Sequence, residues 1–222
     1  MKFFPTLSDD CIASISAHDN GEVMVALTST SQLLLDTSAE NLTHLGYKTD
    51  FHLRQTAASR LLQAAAYLPP NLVLLVKECF RPIAIQERYF SRYIGQLMEL
   101  YPEMDMQSLV RLASRYVAPP ELASHATGGA VDVALMTDNG VLLDMGTPYD
   151  AAPEECDESC FTDAVNISNI AILSRTILKN AMSAAGFVNY PYEWWHWSYG
   201  DRYWAYVLGS ATACYGVIQP KS

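Results

Sequence analysis

Two short segments carry side chains that together suit hydrolysis at a metal ion. The first is Ser124-His125-Ala126-Thr127-Gly128-Gly129-Ala130-Val131-Asp132. Its glycines let the chain reverse tightly and let backbone approach a bound group, so His125 and Asp132 can converge from either side of a turn. An imidazole and a carboxylate suit zinc. The second segment is Glu193-Trp194-Trp195-His196-Trp197, an acid and a histidine among three tryptophans. Each segment alone also fits a structural role. A histidine and an aspartate at this spacing arise often by chance, and an aromatic run with a polar pair fits a core strand. Strict strand alternation would put Glu193 and His196 on opposite faces. They share one site only if a bulge or a strand end falls between them.

Combined, His125, Asp132 and His196 make a ligand set of two nitrogens and one oxygen. Three protein ligands leave a fourth zinc position open, the pattern of a catalytic site and not a structural one. Glu193 is suited to take a proton from a water activated there and return it to a leaving amine. Such a water attacks an amide or ester carbonyl, and the tryptophans would exclude bulk solvent. The remaining histidines, His18, His44 and His52, lie in polar or mixed contexts without an acid or cysteine at ligand spacing. They read as surface or capping residues.

The pairing of HATGGAVD with EWWHW resembles the VanX-type D-alanyl-D-alanine dipeptidases. These zinc peptidases share their metal site with D-Ala-D-Ala carboxypeptidases and the hedgehog signalling domain. The family pattern S-x-H-x-x-G-x-A-x-D, followed later by E-x-x-H, is matched by His125, Gly128, Ala130 and Asp132, then by Glu193 and His196. The resemblance implies one zinc ion per chain on His125, Asp132 and His196, with Glu193 as general base and acid. Glu78-Cys79-Phe80-Arg81-Pro82 looks like the family's D-G-Y-R-P, which gives Arg81 the stabilisation of the oxyanion. Its alternative is a structural ion pair. Met145-Gly146-Thr147-Pro148-Tyr149-Asp150 looks like M-G-x-x-F-D, which makes Asp150 the acceptor of the substrate's free amine. The family's serine two before the first ligand is Ala123 here, and the adjacent Ser124 is taken as a substrate contact. The implied substrate is D-Ala-D-Ala or a related small dipeptide. Two alternatives are a D,D- or L,D-carboxypeptidase acting on peptidoglycan stem peptides, and a non-catalytic zinc-binding module. Residues 40–210 carry the resemblance and residues 1–35 match poorly, within a single domain spanning 1–222.

The elements that must hold these residues follow from hydrophobic spacing. Strand-like runs cover Glu22–Thr28 and Gln32–Asp36. Helical spacing runs from Arg54 to Leu68, Ile83 to Tyr101, Met106 to Tyr116 and Ser168 to Ala185, with Gly186 placed to end the last. Leu72–Val76 is a short buried strand, and Ala130–Met136 alternates like one. Residues 137–165 form a long acidic loop of the kind that is often functional. Phe187–Val207 reads as aromatic strands joined by a turn at Gly200-Asp201. Helices and strands without strict alternation indicate an α+β fold. The resemblance implies a central, mainly antiparallel sheet flanked by helices, like hedgehog and DD-peptidases.

Composition sets the outer bounds. The 222 residues carry 14 Lys+Arg against 24 Asp+Glu, a net charge of −10. Such a surface repels phosphate, which argues against nucleic acid and anionic membranes as partners. No apolar stretch approaches the roughly 20 residues of a membrane span. The start, MKFFPTLSDD, lacks the apolar region of a secretory signal. The expectation is a cytoplasmic protein, periplasmic only if a leader has been removed. Cys156 and Cys160 lie in an acidic loop without a second Cys/His pair nearby and read as ordinary thiols.

Overall fold

A computed structural model describes residues 4–219. The chain opens with a short helix α1 (Asp10–Ala13), then strands β1 (Ser16–Ala17), β2 (Met24–Ala26) and β3 (Leu33–Leu35). Helix α2 (Ala39–Leu45), strand β4 (His52–Arg54) and helix α3 (Gln55–Ala66) lead to strand β5 (Leu72–Glu78). Helices α4 (Ile83–Leu100) and α5 (Met106–Ala113) precede strand β6 (Ala130–Thr137). After a long loop come helix α6 (Asn169–Ala184), strands β7 (Val188–Asn189) and β8 (His196–Ser198), helix α7 (Arg202–Leu208) and strand β9 (Thr212–Ala213).

Five strands form the central sheet in the order β3-β5-β6-β8-β7. Only the β3–β5 pairing is parallel, and the other three neighbours are antiparallel. This is the α+β class expected, with a mainly antiparallel sheet and flanking helices. β5 and β6 are buried along most of their length. Their apolar side chains meet Ala57, Leu61 and Ala64 of α3 and Leu178 and Met182 of α6 in one core. Trp194, Trp195 and Trp197 complete that core. Helices α4 and α5 pack on each other through Tyr93, Leu97, Leu109 and Ala113.

The helix limits have local causes. Ser38 and Ser168 cap α2 and α6 by accepting from the amides of Asn41 and Ala171, at 3.2 and 3.0 Å. Gly186 takes the left-handed conformation just beyond α6, as its position predicted. One expectation fails: residues 202–208 are helix α7 and not a strand. Asp201 caps it, its Oδ1 accepting from the Trp204 amide at 2.8 Å, and left-handed Gly209 closes it. The aromatic composition pointed to a strand, but the two caps satisfy the end groups of a short helix. No helix among the described residues is long and apolar enough to cross a membrane.

Candidate active site

Sheet register brings the central residues into one row. On β6, Asp132 lies directly across from His196 of β8 on one side and from Glu78 of β5 on the other. A register irregularity between Val76 and Glu78 lets β5 deliver Glu78 there. His125 comes from a single 3-10 turn, His125–Thr127, which left-handed Gly128 ends. Gly129 then passes so close to the next strand that a Cβ would lie 2.3 Å from the Tyr199 carbonyl oxygen. Only glycine permits this approach, which seats the turn against the sheet.

The side chains of His125, Asp132 and His196 converge and are buried. His125 Nε2 and His196 Nδ1 lie 3.1 and 3.0 Å from Asp132 Oδ1, and 3.1 Å from each other. His125 Nδ1 donates to the Cys79 carbonyl at 2.6 Å, which leaves Nε2 free to present a lone pair. Tyr149 Oη donates to Asp132 Oδ2 at 3.1 Å and leaves Oδ1 facing the two imidazoles. Two lone-pair nitrogens and a carboxylate oxygen thus sit about as far apart as the roughly 3.3 Å edges of a tetrahedron with zinc bonds of about 2.0 Å. The donor set and its spacing fit a zinc ion. Among the described residues this is the one such group of metal-binding side chains.

Electrostatics agree with that arrangement. Burial pushes the Asp132 carboxyl up, but the charges and hydrogen bonds of His125 and His196 overcome this and hold it well below the usual carboxylate range. Burial opposes charge on His125, and Asp132 overrides it to raise the imidazole's pKa. On His196 burial prevails and lowers it.

Glu193 sits in a turn just before β8 begins, so strand alternation does not apply to it. This is the strand end that a shared site required. Its Oε2 lies 3.8 Å from His196 Nδ1. Asn189 holds the turn, its side-chain amide donating to the carbonyls of both Glu193 and His196 at 3.0 Å. Burial, and then the negative charges of Asp132 and Asp150, raise the Glu193 carboxyl well above its ordinary pKa.

Arg81 lines the same cleft. Its Nε and one terminal nitrogen donate to the two oxygens of fully buried Glu78, each at 2.6 Å, and the other terminal nitrogen donates to Gln86 at 2.7 Å. The ion pair that was its alternative reading is therefore present, while the guanidinium still faces the cleft. Tyr47 also donates to Glu78, at 2.5 Å. Asp150 stands at another wall in a left-handed conformation, φ 60°, that non-glycine residues seldom adopt. Tyr116 Oη donates to its backbone carbonyl at 2.9 Å. Its Oδ2 meets His44 Nε2 at 2.8 Å. Ser124 is buried beside His125 and lines the cleft with Ala123.

Sequence reasoning missed several members of this site. His44 read as a surface residue, yet the C-terminal turn of α2 aims it at Asp150. Glu78 entered only as a departure from a family motif, although a carboxylate three residues before an arginine signals an ion pair. Tyr149 and Asn189 carried no signal beyond their closeness to named residues. The loop bearing Asp150 is anchored by buried Arg175. That side chain donates to the carbonyls of Met145, Ser159 and Phe161 at 2.7, 2.7 and 2.6 Å. Cys156 and Cys160 in this loop carry free thiols.

Two imidazoles and a carboxylate in an open cleft, with a buried glutamate and a fixed guanidinium alongside, define the class as a metal-dependent hydrolase. The sequence profile of the peptidase M15 family, described as D-ala-D-ala dipeptidase, matches residues 34–212. The chain belongs to this family of metallopeptidases. It is similar to the D-alanyl-D-alanine dipeptidase of a Synechocystis species, with 26% identity over 181 residues, 72% of this chain and 73% of the relative. It is 31% identical over 114 residues to the Enterococcus faecalis D-alanyl-D-alanine dipeptidase, covering 49% of this chain and 52% of the relative. Against the Enterococcus faecium enzyme of the same name it is 33% identical over 103 residues, 46% of this chain and 47% of the relative. The chain thus spans about half the length of both enterococcal relatives.

Proposed function

We propose that the protein is a zinc dipeptidase that hydrolyses D-Ala-D-Ala or a related D-amino-acid dipeptide, in a single domain. The supporting observation is the spacing of His125, Asp132 and His196 around one point, with Glu193 buried beside them. Zinc held there supplies Lewis-acid polarisation of the scissile carbonyl and activation of a water. Asp150 receives the substrate's ammonium and so fixes which peptide bond lies over the ligand triad. Glu193 Oε takes a proton from the attacking water and returns it to the leaving nitrogen. Arg81, locked by Glu78 and Gln86, directs its remaining N–H bonds at the oxygen where negative charge develops. Ser124 contacts the substrate backbone beside His125. Buried Trp195, edge-on to Tyr149 at 5.7 Å between ring centres, keeps bulk water from the reacting groups.

The test is metal analysis combined with peptide turnover. About one zinc per chain is expected, with hydrolysis of D-Ala-D-Ala abolished by a chelator and restored by zinc. N-acetyl-D-Ala-D-Ala should be cleaved at least tenfold more slowly, because acetylation removes the charge that Asp150 receives. Equal turnover of the two would instead favour a carboxypeptidase. Tight peptide binding without turnover would favour a non-catalytic module.

His44 adds a pH dependence to this reading. Its hydrogen bond to Asp150, ahead of an opposing effect of burial, raises its pKa. Lys77 acts to lower it and Glu78 to raise it, more weakly. The charged pair therefore persists to higher pH than a free imidazole would allow, and is lost as pH rises through the raised pKa. Below that pH the imidazolium competes with the substrate ammonium for Asp150. The KM for D-Ala-D-Ala should climb as pH falls through this value, and His44→Asn should flatten the climb. A KM profile identical in the two proteins would remove His44 from substrate binding.

A further inference from the structure

Tyr149 joins two parts of the cleft. Its chain neighbour Asp150 lines one wall, and its own hydroxyl reaches the ligand cluster. The ring is held on several sides. It lies edge-on to buried Trp195 and tilted against His44, each with ring centres 5.7 Å apart. Lys77 Nζ, paired with Asp36, stands 5.2 Å from the ring centre. The next residue is pinned as well, its carbonyl accepting from Tyr116 Oη at 2.9 Å. The hydroxyl is therefore delivered to Asp132 from a fixed frame.

The two oxygens of Asp132 have different partners. Oδ1 faces His125 Nε2 and His196 Nδ1, at 3.1 and 3.0 Å. Oδ2 accepts from Tyr149 Oη at 3.1 Å, its one hydrogen bond among the described residues. The contacts on Oδ1 do not outlast metal binding as hydrogen bonds. A ring nitrogen that gives its lone pair to a metal carries no hydrogen to donate. Once both imidazoles take up an ion, the bond from Tyr149 is the hydrogen bond that Asp132 keeps. That bond then controls the carboxylate, because rotation about the last side-chain bond of an aspartate is soft. A carboxylate that turns freely can offer both oxygens to one ion. Beside two imidazoles, the second oxygen would take the position that three single-atom ligands leave open. The pattern M-G-x-x-F-D has phenylalanine where this chain carries Tyr149, so the hydroxyl is a departure of this chain from it.

We infer that Tyr149 is a positioning residue of the metal centre, its hydroxyl engaging Asp132 Oδ2 so that Oδ1 alone serves the ion and one position stays open. The inference rests on the reading of His125, Asp132 and His196 as the metal ligands. Tyr149 acts through Asp132: it orients a ligand and is not one itself. Such outer partners of ligating groups set both affinity and geometry at metal sites.

Metal spectroscopy tests this without turnover. Tyr149→Phe removes one oxygen and leaves the ring its contacts with Trp195, His44 and Lys77. The full-length variant and the unsubstituted protein are loaded with cobalt(II), whose visible bands are strong in four-coordinate sites and weaken as the coordination number rises. At saturating cobalt the variant should show weaker bands. Its zinc affinity, measured by competition with a chelating dye, should fall by about 10–100-fold. Tyr116→Phe is the comparison. It removes the hydroxyl that holds the Asp150 carbonyl, so it loosens the same loop without touching Asp132, and both readouts should match the unsubstituted protein. Unchanged bands or unchanged zinc affinity in Tyr149→Phe, or an equal loss in Tyr116→Phe, would overturn the inference. Failure of the unsubstituted protein to bind either metal would overturn the proposed metal site and the inference together, whereas bound metal with identical spectra would overturn the inference alone.

Discussion

Glu193→Gln is expected to keep its zinc and lose turnover by roughly 10²–10⁴-fold, the usual contribution of a positioned acid or base. Metal retention follows from geometry. The proposed ligand atoms come from His125, Asp132 and His196, and Glu193 Oε2 stands 3.8 Å from His196 Nδ1. The turn that carries residue 193 is held through backbone carbonyls by Asn189, so the amide substitution leaves its frame intact. Loss of turnover follows from electrostatics. Burial, with Asp132 and Asp150, gives the carboxylate a higher proton affinity than an exposed glutamate. That makes it a stronger base than an exposed carboxylate, and an amide cannot take the proton at all. Metal content by elemental analysis and kcat on D-Ala-D-Ala decide the matter. A variant that retains kcat would exclude Glu193 as the base, and one that loses zinc would make it a ligand.

The proposed ligands Asp132 and His196 were legible in the sequence through motifs that fall on paired strands. They are direct partners across β6 and β8, so the pairing of the two strands sets them side by side. The His125 turn was legible from its two glycines, which have few uses other than positive φ and close approach. The helices from residue 55 to 184 were readable from their apolar spacing, since each buries one face against the sheet or a neighbouring helix.

What was not legible depends on contacts distant in sequence. His44 reaches Asp150 across 106 positions, and nothing local to either residue reports the meeting. Nor does anything local to Arg54 report its partners. It joins the N-terminal segment to the His125 turn through Asp19, the Glu22 carbonyl and the Thr127 carbonyl. The segment before the family match is thereby tied to the site: β1 pairs in parallel with β9, and Leu7 lines the cleft. Helix α7 was misread for a related reason. Its aromatic residues satisfy the propensity of a strand, and only the pairing of the Asp201 cap with Gly209 separates the two outcomes.

Replacement of Arg81 tests the other large contribution and separates its two roles. Arg81→Met should lower kcat by about 10²–10³-fold, the scale on which losing a donor to a developing oxyanion is felt. It should also destabilise the fold by about 3–5 kcal/mol, because Glu78 is left fully buried without its counter-charge. Either effect alone could be explained by the other, since a damaged fold is also a poor catalyst. The double variant Glu78→Gln/Arg81→Met resolves this. A glutamine at 78 removes the unpaired charge and still accepts from Tyr47, so most of the lost stability should return in a denaturant titration. Turnover should not return, since no guanidinium faces the scissile carbonyl. Recovery of kcat together with stability would show that Arg81 serves the fold alone, as the partner that makes a buried Glu78 tolerable beside Asp132.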